Sequence, residues 1–281
     1  MINRNMYIHK KEDEVTKKLN ESLISEEYKE QLIDFYRKFD EQMLLPDLVG
    51  KSVEINEYQF PHIYDIVKKQ ARILNIQIPK IYVFESFYYE VNAEGYDIPW
   101  IQLSSKTLED FSKKELEFAI GRQMCHIKED HIKYEILCEQ FSKAIRIVGQ
   151  VGVGAFSFIP AGSTITGEAL EVYASRFKLT SCQWSRISEY TADNCGYLLC
   201  NDIEASISAI KKQIVNSKKL ADEMKLSSFV EQTKTINSMN SDISRFSILD
   251  EQIPYGPFRI KELIAFSSSI RTKENIRSLY S

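Results

Sequence analysis

The sequence predicts an α+β fold, mostly helical with one small mixed sheet. Three observations carry this expectation. Apolar residues recur at helical spacing over most of the 281 residues, β-type sequence is confined to one stretch around residues 80–104, and no repeat, low-complexity tract or long linker divides the chain. With 43% hydrophobic and 27% charged residues, the chain can bury a sizeable core.

In chain order, Glu26 to Met43 sets Leu32, Phe35, Tyr36, Phe39 and Met43 at helical spacing between charges, an amphipathic helix that Pro46 and Gly50 should end. A second helix follows Pro61, with Ile63, Val67, Ala71 and Leu74 on one face, and stops before Pro79. Three runs rich in Tyr, Val, Ile and Trp come next, at 80–85, 88–93 and 99–104, broken by Glu94-Gly95. Ser112 and Glu115 form a capping box, which fixes the start of a helix predicted to run unbroken to Gly149. Helical sequence resumes over 168–177, around Ser188 to Leu199, over 202–214 and over 221–239. Residues 1–60 read as an N-terminal helical segment that packs with residues 61–281 as one compact unit.

A net charge of −4 leaves no global basic surface, so electrostatic capture of nucleic acid is not expected. Met1 to Val15 is charged and lacks an apolar stretch, which predicts no secretory signal and a cytoplasmic location. The five cysteines are odd in number and form no C-x-x-C pair, so they read as buried thiols rather than disulfides or a zinc knuckle. Residues 147–167 carry no charge until Glu168, but five glycines and Pro160 dilute the stretch, so a buried helix and loop is expected ahead of a membrane contact.

The chemistry-bearing stretch is Gly121 to Ile127. It resembles a His-Glu-x-x-His metal helix in which Arg122 replaces the first His, Gln123 replaces the Glu and His126 alone is kept. Phe111-Ser112-Lys113-Lys114-Glu115-Leu116 precedes it, Ser188-Glu189-Tyr190-Thr191-Ala192-Asp193 follows, and Pro257 to Leu263 closes the series. In this order the parts resemble the HtpX and CAAX-prenyl-protease type of zinc endopeptidase, a gluzincin family, over roughly residues 60 to 265. The resemblance implies a zincin-like fold for residues 61–281. It also implies that Arg122, His126 and Glu189 stand at the three ligand positions, and Gln123 at that of the general base. Asp193, Arg259 and Asp130 would support the site, and Trp100, Ile101, Gln102 and Leu103 would form a peptide-binding edge strand.

The departures decide the expected chemistry. A guanidinium keeps its proton in proteins and cannot ligate zinc. A dication about 4 Å from it would be repelled by about 8 kcal/mol at an effective dielectric near 20. No zinc is therefore expected, and Arg122 facing Glu189 would stand in for the cation. An amide at 123 cannot take a proton from water. His131 lies five residues beyond His126, about 140° around a continuous helix, so the two should not meet on one ion. Cys125 beside His126 could be a nucleophile, but adjacent helical residues point about 100° apart, which favours a buried thiol. The expectation is an inactive peptidase-like protein that binds protein or peptide. The alternatives are an active zinc enzyme that recruits His126, His131, Glu129, Glu189 or a Cys, and a membrane-associated module using residues 147–167.

Overall fold

The computed structural model describes residues 2–23, 25–151 and 167–280. Helices α1 (Glu12–Ser22), α2 (Glu26–Phe35) and α3 (Glu41–Lys51) open the chain, with a π-helical turn at Tyr36–Asp40 joining the last two. The short β1 (Ser52–Glu54) and helix α4 (Pro61–Leu74) lead to β2 (Lys80–Phe84), β3 (Val91–Glu94) and β4 (Trp100–Ser104). Then come α5 (Ser105–Asp110), α6 (Lys113–Lys128), α7 (His131–Val151), α8 (Gly167–Cys200), α9 (Ile203–Val215), α10 (Lys218–Glu223) and α11 (Leu226–Ser238). Helices α12 (Asp242–Leu249), α13 (Gly256–Ser268) and α14 (Ile270–Tyr280) complete the described chain. The predicted class is what is found, a mostly helical chain with one small mixed sheet.

Sheet order is β1-β2-β4-β3, with β2 and β4 parallel and the outer pairs antiparallel. This corrects the expected edge strand: Trp100 to Leu103 lie inside the sheet, paired on both sides, and the exposed edge beyond them is β3. The reason is topological. The Gly95 turn, with φ at +84°, folds β3 back onto β4, and a Cβ there would sit 2.3 Å from the Trp100 ring. Ile81, Ile101, Leu103 and Val91 join the main core, while Tyr82 and Trp100 pack with Leu48 of α3 on the opposite face.

Helix α6 is the centre of the molecule. Ser112 caps it by accepting from the Glu115 N–H, as predicted, and every residue from Glu115 to Cys125 is buried. It crosses α8 closely because Gly121 and Gly196 meet: a Cβ on Gly196 would lie 2.8 Å from both the Arg122 Cγ and the Phe118 carbonyl oxygen. That approach sets Arg122 against the Glu189–Asp193 turn of α8.

Several helix boundaries differ from the sequence reading. The N-terminal amphipathic helix does not stop at Pro46. It passes through the π turn and Pro46 to Lys51. The helix from Ser112 breaks at Glu129 and Asp130, where Asp130 takes a left-handed φ of 56° and α7 starts in a new direction. The stretch read as 221–239 is two helices, α10 and α11, separated at Met224–Lys225. Among the described residues no helix is long and apolar enough to cross a membrane. Most of residues 147–167, considered above as a membrane contact, lies outside the described residues.

Candidate functional site

A helix buried on all sides that still carries Arg122, Gln123 and His126 must find partners for them inside the protein, because an unpaired buried polar group costs more than its burial returns. Each has one. Arg122 donates from Nη2 to Glu189 Oε2, and its Nε lies 2.6 Å from Asp193 Oδ1. Arg259 of α13 grips the same Asp193 with two hydrogen bonds, Nε to Oδ2 at 2.9 Å and Nη2 to Oδ1 at 2.7 Å. Two guanidiniums thus face two carboxylates, and the local charge closes without any further cation. Arg259 is itself buried, in keeping with a supporting place in the site. Burial by itself would push the Asp193 carboxyl up, yet Arg259 and then Arg122 hold it below the usual carboxylate range.

The Gln123 amide donates to the Val91 carbonyl at 2.6 Å, tying α6 to β3. Ser104 donates its N–H to the Glu90 carbonyl at 3.0 Å, so pleat alternation turns Asn92 and Glu94 toward β4 and the backbone groups of Val91 and Ala93 outward. Gln123 therefore occupies the first outward acceptor of the edge strand.

His126 behaves differently from its expectation. The break at Asp130 brings His131 round on α7, and the two rings meet with Nδ1 to Nδ1 at 3.0 Å. Only on one continuous helix would their spacing have kept them apart. His131 Nε2 lies 2.9 Å from Glu12 Oε1, and the Thr191 hydroxyl donates to Glu12 Oε2. Across from this chain of contacts, His126 Nε2 lies 3.6 Å from Glu189 Oε1, beyond hydrogen-bond reach. Burial, followed by the nearby His131, Arg122 and Arg259, holds the His126 ring well below the usual imidazole range.

Asp130, expected to support the site, does not reach Arg122 or His126. It is exposed at the helix corner. Glu129, offered as an alternative ligand, is committed elsewhere, bonded to Arg4 Nε and the Tyr7 hydroxyl, each at 2.5 Å. Cys125 is fully buried, and its thiol is pushed far up by that burial and by Cys195, which makes it a packed thiol and no nucleophile. All five cysteines are free, and Cys138 is half-buried at the rim of a cleft. That cleft, of about 900 Å³, opens between α7 and α8 beside the site, with Glu135, Trp184 and Glu189 at its inner end. Crowding by its walls, then Glu189, pushes the Glu135 carboxyl up to about 7, although 47% of its side chain still meets the cleft.

Residues that the sequence reading missed are Glu12, Thr191 and the role of His131. The signal for Glu12 is its register: it stands three and seven residues before Val15 and Leu19, on the buried face of α1. No comparable signal marks Thr191.

The residues present do not fit a zinc ion. His126 Nε2 and Glu189 offer two donors, but Arg122 fills the third position with a fixed positive charge already bonded to Glu189. Among the described residues, no group of three His, Cys, Asp or Glu side chains is arranged to hold a metal.

Comparison with known proteins agrees with the motif order. The chain is 23% identical over 245 residues to the plastoglobule-localized metallopeptidase 48 of Arabidopsis thaliana, covering 84% of this chain and 66% of that one. It is 28% identical over 111 residues to a protease HtpX homolog of Pediococcus pentosaceus, covering 38% of this chain and 37% of the relative. With an HtpX homolog of Thermodesulfovibrio yellowstonii it shares 24% identity over 128 residues, 45% of each chain. The chain thus spans less than two thirds of the length of these relatives. The family profile of peptidase family M48 matches residues 57–253, well over half of the sequence, and the chain belongs to that family.

Proposed function

We propose that this chain is a catalytically inactive member of its family that binds extended protein or peptide segments in a regulatory or scaffolding role. The observation that carries the reading is the Arg122 guanidinium bonded to Glu189, in the position where a ligand imidazole would be needed. Gln123 supports it from a second direction. Its amide has no basic oxygen for activating water, a loss of roughly 10²–10⁴ in rate on its own, and it is engaged with Val91. Zinc has no part in this function.

Binding is assigned to the β3 edge. Among the described residues nothing occupies the outward N–H and C=O of Ala93, which can receive one hydrogen-bonded pair from an added strand. Side chains of such a segment are assigned to the cleft between α7 and α8, where Ile253 is exposed. The test is incubation with fluorescently labelled denatured casein, with and without added zinc. Expected are retention of the labelled chain and no fragments in either condition. Fragments that a chelator abolishes and zinc restores would overturn the reading in favour of an active enzyme with a non-standard metal site.

A further inference from the structure

We propose that residues 26–51 form a latched strap over the end of the β3 edge, so that access to the edge is controlled by release of the strap. This rests on the reading of β3 as the binding edge. Four contacts, made to two different elements, define the strap. On α7, Asp40 Oδ2 accepts from Gln140 Nε2 at 2.6 Å and from Lys143 Nζ at 2.8 Å. On the β3–β4 turn, Glu41 Oε1 accepts from the Tyr96 N–H at 3.0 Å, and Arg37 Nη2 donates to Asp97 at 2.8 Å. Arg37 also lies over the Tyr96 ring, 4.6 Å from its centre, and the Tyr36 hydroxyl is hydrogen-bonded to the Gly95 backbone.

The strap thus joins two walls, helix α7 and the β3–β4 turn, at the Glu94 end of β3. A segment that joins both walls at that end blocks a strand running on past Ala93 toward Glu94. Apolar contacts hold the root of the strap, since Leu32, Ile33 and Tyr36 pack in one cluster with Ile136, Leu137 and Phe141.

The strap is built to yield at its polar half. The π turn at Tyr36–Asp40 inserts one residue into the helix and rotates the downstream turns by about 100°, which carries the chain from apolar packing to the polar latches. Pro46 within α3 has no N–H to complete the helical ladder, and beyond it Leu48, packed on Tyr82 and Trp100, anchors the far end of the strap. The ion pairs of Asp40 with Lys143 and of Arg37 with Asp97 are partly exposed, so solvent screening weakens them. Opening of the polar half therefore asks far less than opening of the core.

Backbone amide exchange read by mass spectrometry tests the coupling without any ligand. Among the described residues the Asp40 side chain bonds to α7 and not to the β3–β4 turn, so Asp40→Ala breaks only the far latch. Expected is a rise of about tenfold or more in exchange at residues 91–97, with α6 and α8 unchanged. The paired variant Gln140→Ala with Lys143→Ala breaks the same latch from the other wall and should give the same pattern if Asp40→Ala fails to fold. Faster exchange confined to residues 36–44 and 139–144, with 91–97 unchanged, would overturn the proposal. This outcome is separate from the casein experiment: a strap that couples the two walls can stand even if β3 binds no peptide, and the reverse.

Discussion

At the scale of single residues, two groups in the site respond to acid in opposite senses, and the sign of each follows from its environment. His126 is held neutral in the folded chain while its unfolded counterpart titrates near about 6.5, so between its lowered folded value and about pH 6.5 the unfolded state binds more protons. That contribution to stability is complete above about pH 6.5 and is lost as pH falls below it. Glu135 is raised to about 7, so between about 4.3 and 7 the folded state binds more protons, and its contribution grows as pH falls. The two offset each other between pH 7 and 5. Glu135→Gln removes one side of the balance. Urea unfolding at pH 7, 6 and 5 should show a steeper loss of stability on acidification in this variant than in the native chain, and an equal or shallower slope would contradict the assignment of Glu135.

At the scale of elements, the site exists because two helices approach more closely than side chains on both would allow. Gly196→Ala places a methyl group 2.8 Å from Arg122 Cγ and the Phe118 carbonyl oxygen, so α6 and α8 must separate. Overpacking of this kind costs about 1–3 kcal/mol, against up to about 1 kcal/mol gained from helix propensity. A lower midpoint in thermal or urea unfolding is expected. An unchanged or raised midpoint would mean that the crossing does not position Arg122. Element boundaries set by local chemistry were legible in the chain: the Ser112–Glu115 box, the Pro61 start of α4 and the Gly95 turn all stand where local rules put them. Boundaries set by tertiary contact were not. Nothing local announces the break at Asp130, a non-glycine residue held in the left-handed region, and without it His131 could not be placed beside His126. Helix α3 likewise runs through Pro46, whose helix-breaking tendency is overridden where Leu48 packs on Tyr82 and Trp100.

At the scale of the whole molecule, the sequence disclosed the class of fold, the family, and the pairing of Arg122 with Glu189 across 67 residues, because ordered motifs carry that information even at low identity. It did not disclose strand order, since pairing partners depend on how β3 and β4 fold back on one another, and the edge was therefore placed one strand too far in. Nor did it show that the N-terminal segment is part of the site. Glu12 reaches His131 and Thr191, Arg4 and Tyr7 hold Glu129, and Asn194 donates to the Tyr7 carbonyl at 3.0 Å. The same architecture that would present a metal instead closes its charges internally, two arginines against Glu189 and Asp193. Elemental analysis of the untagged chain, purified without chelator and compared with Arg122→His, tests this most directly. Zinc far below one atom per chain is expected in the native protein, with a gain in the variant; near-stoichiometric zinc in the native protein would overturn the closure of charge between Arg122 and Glu189.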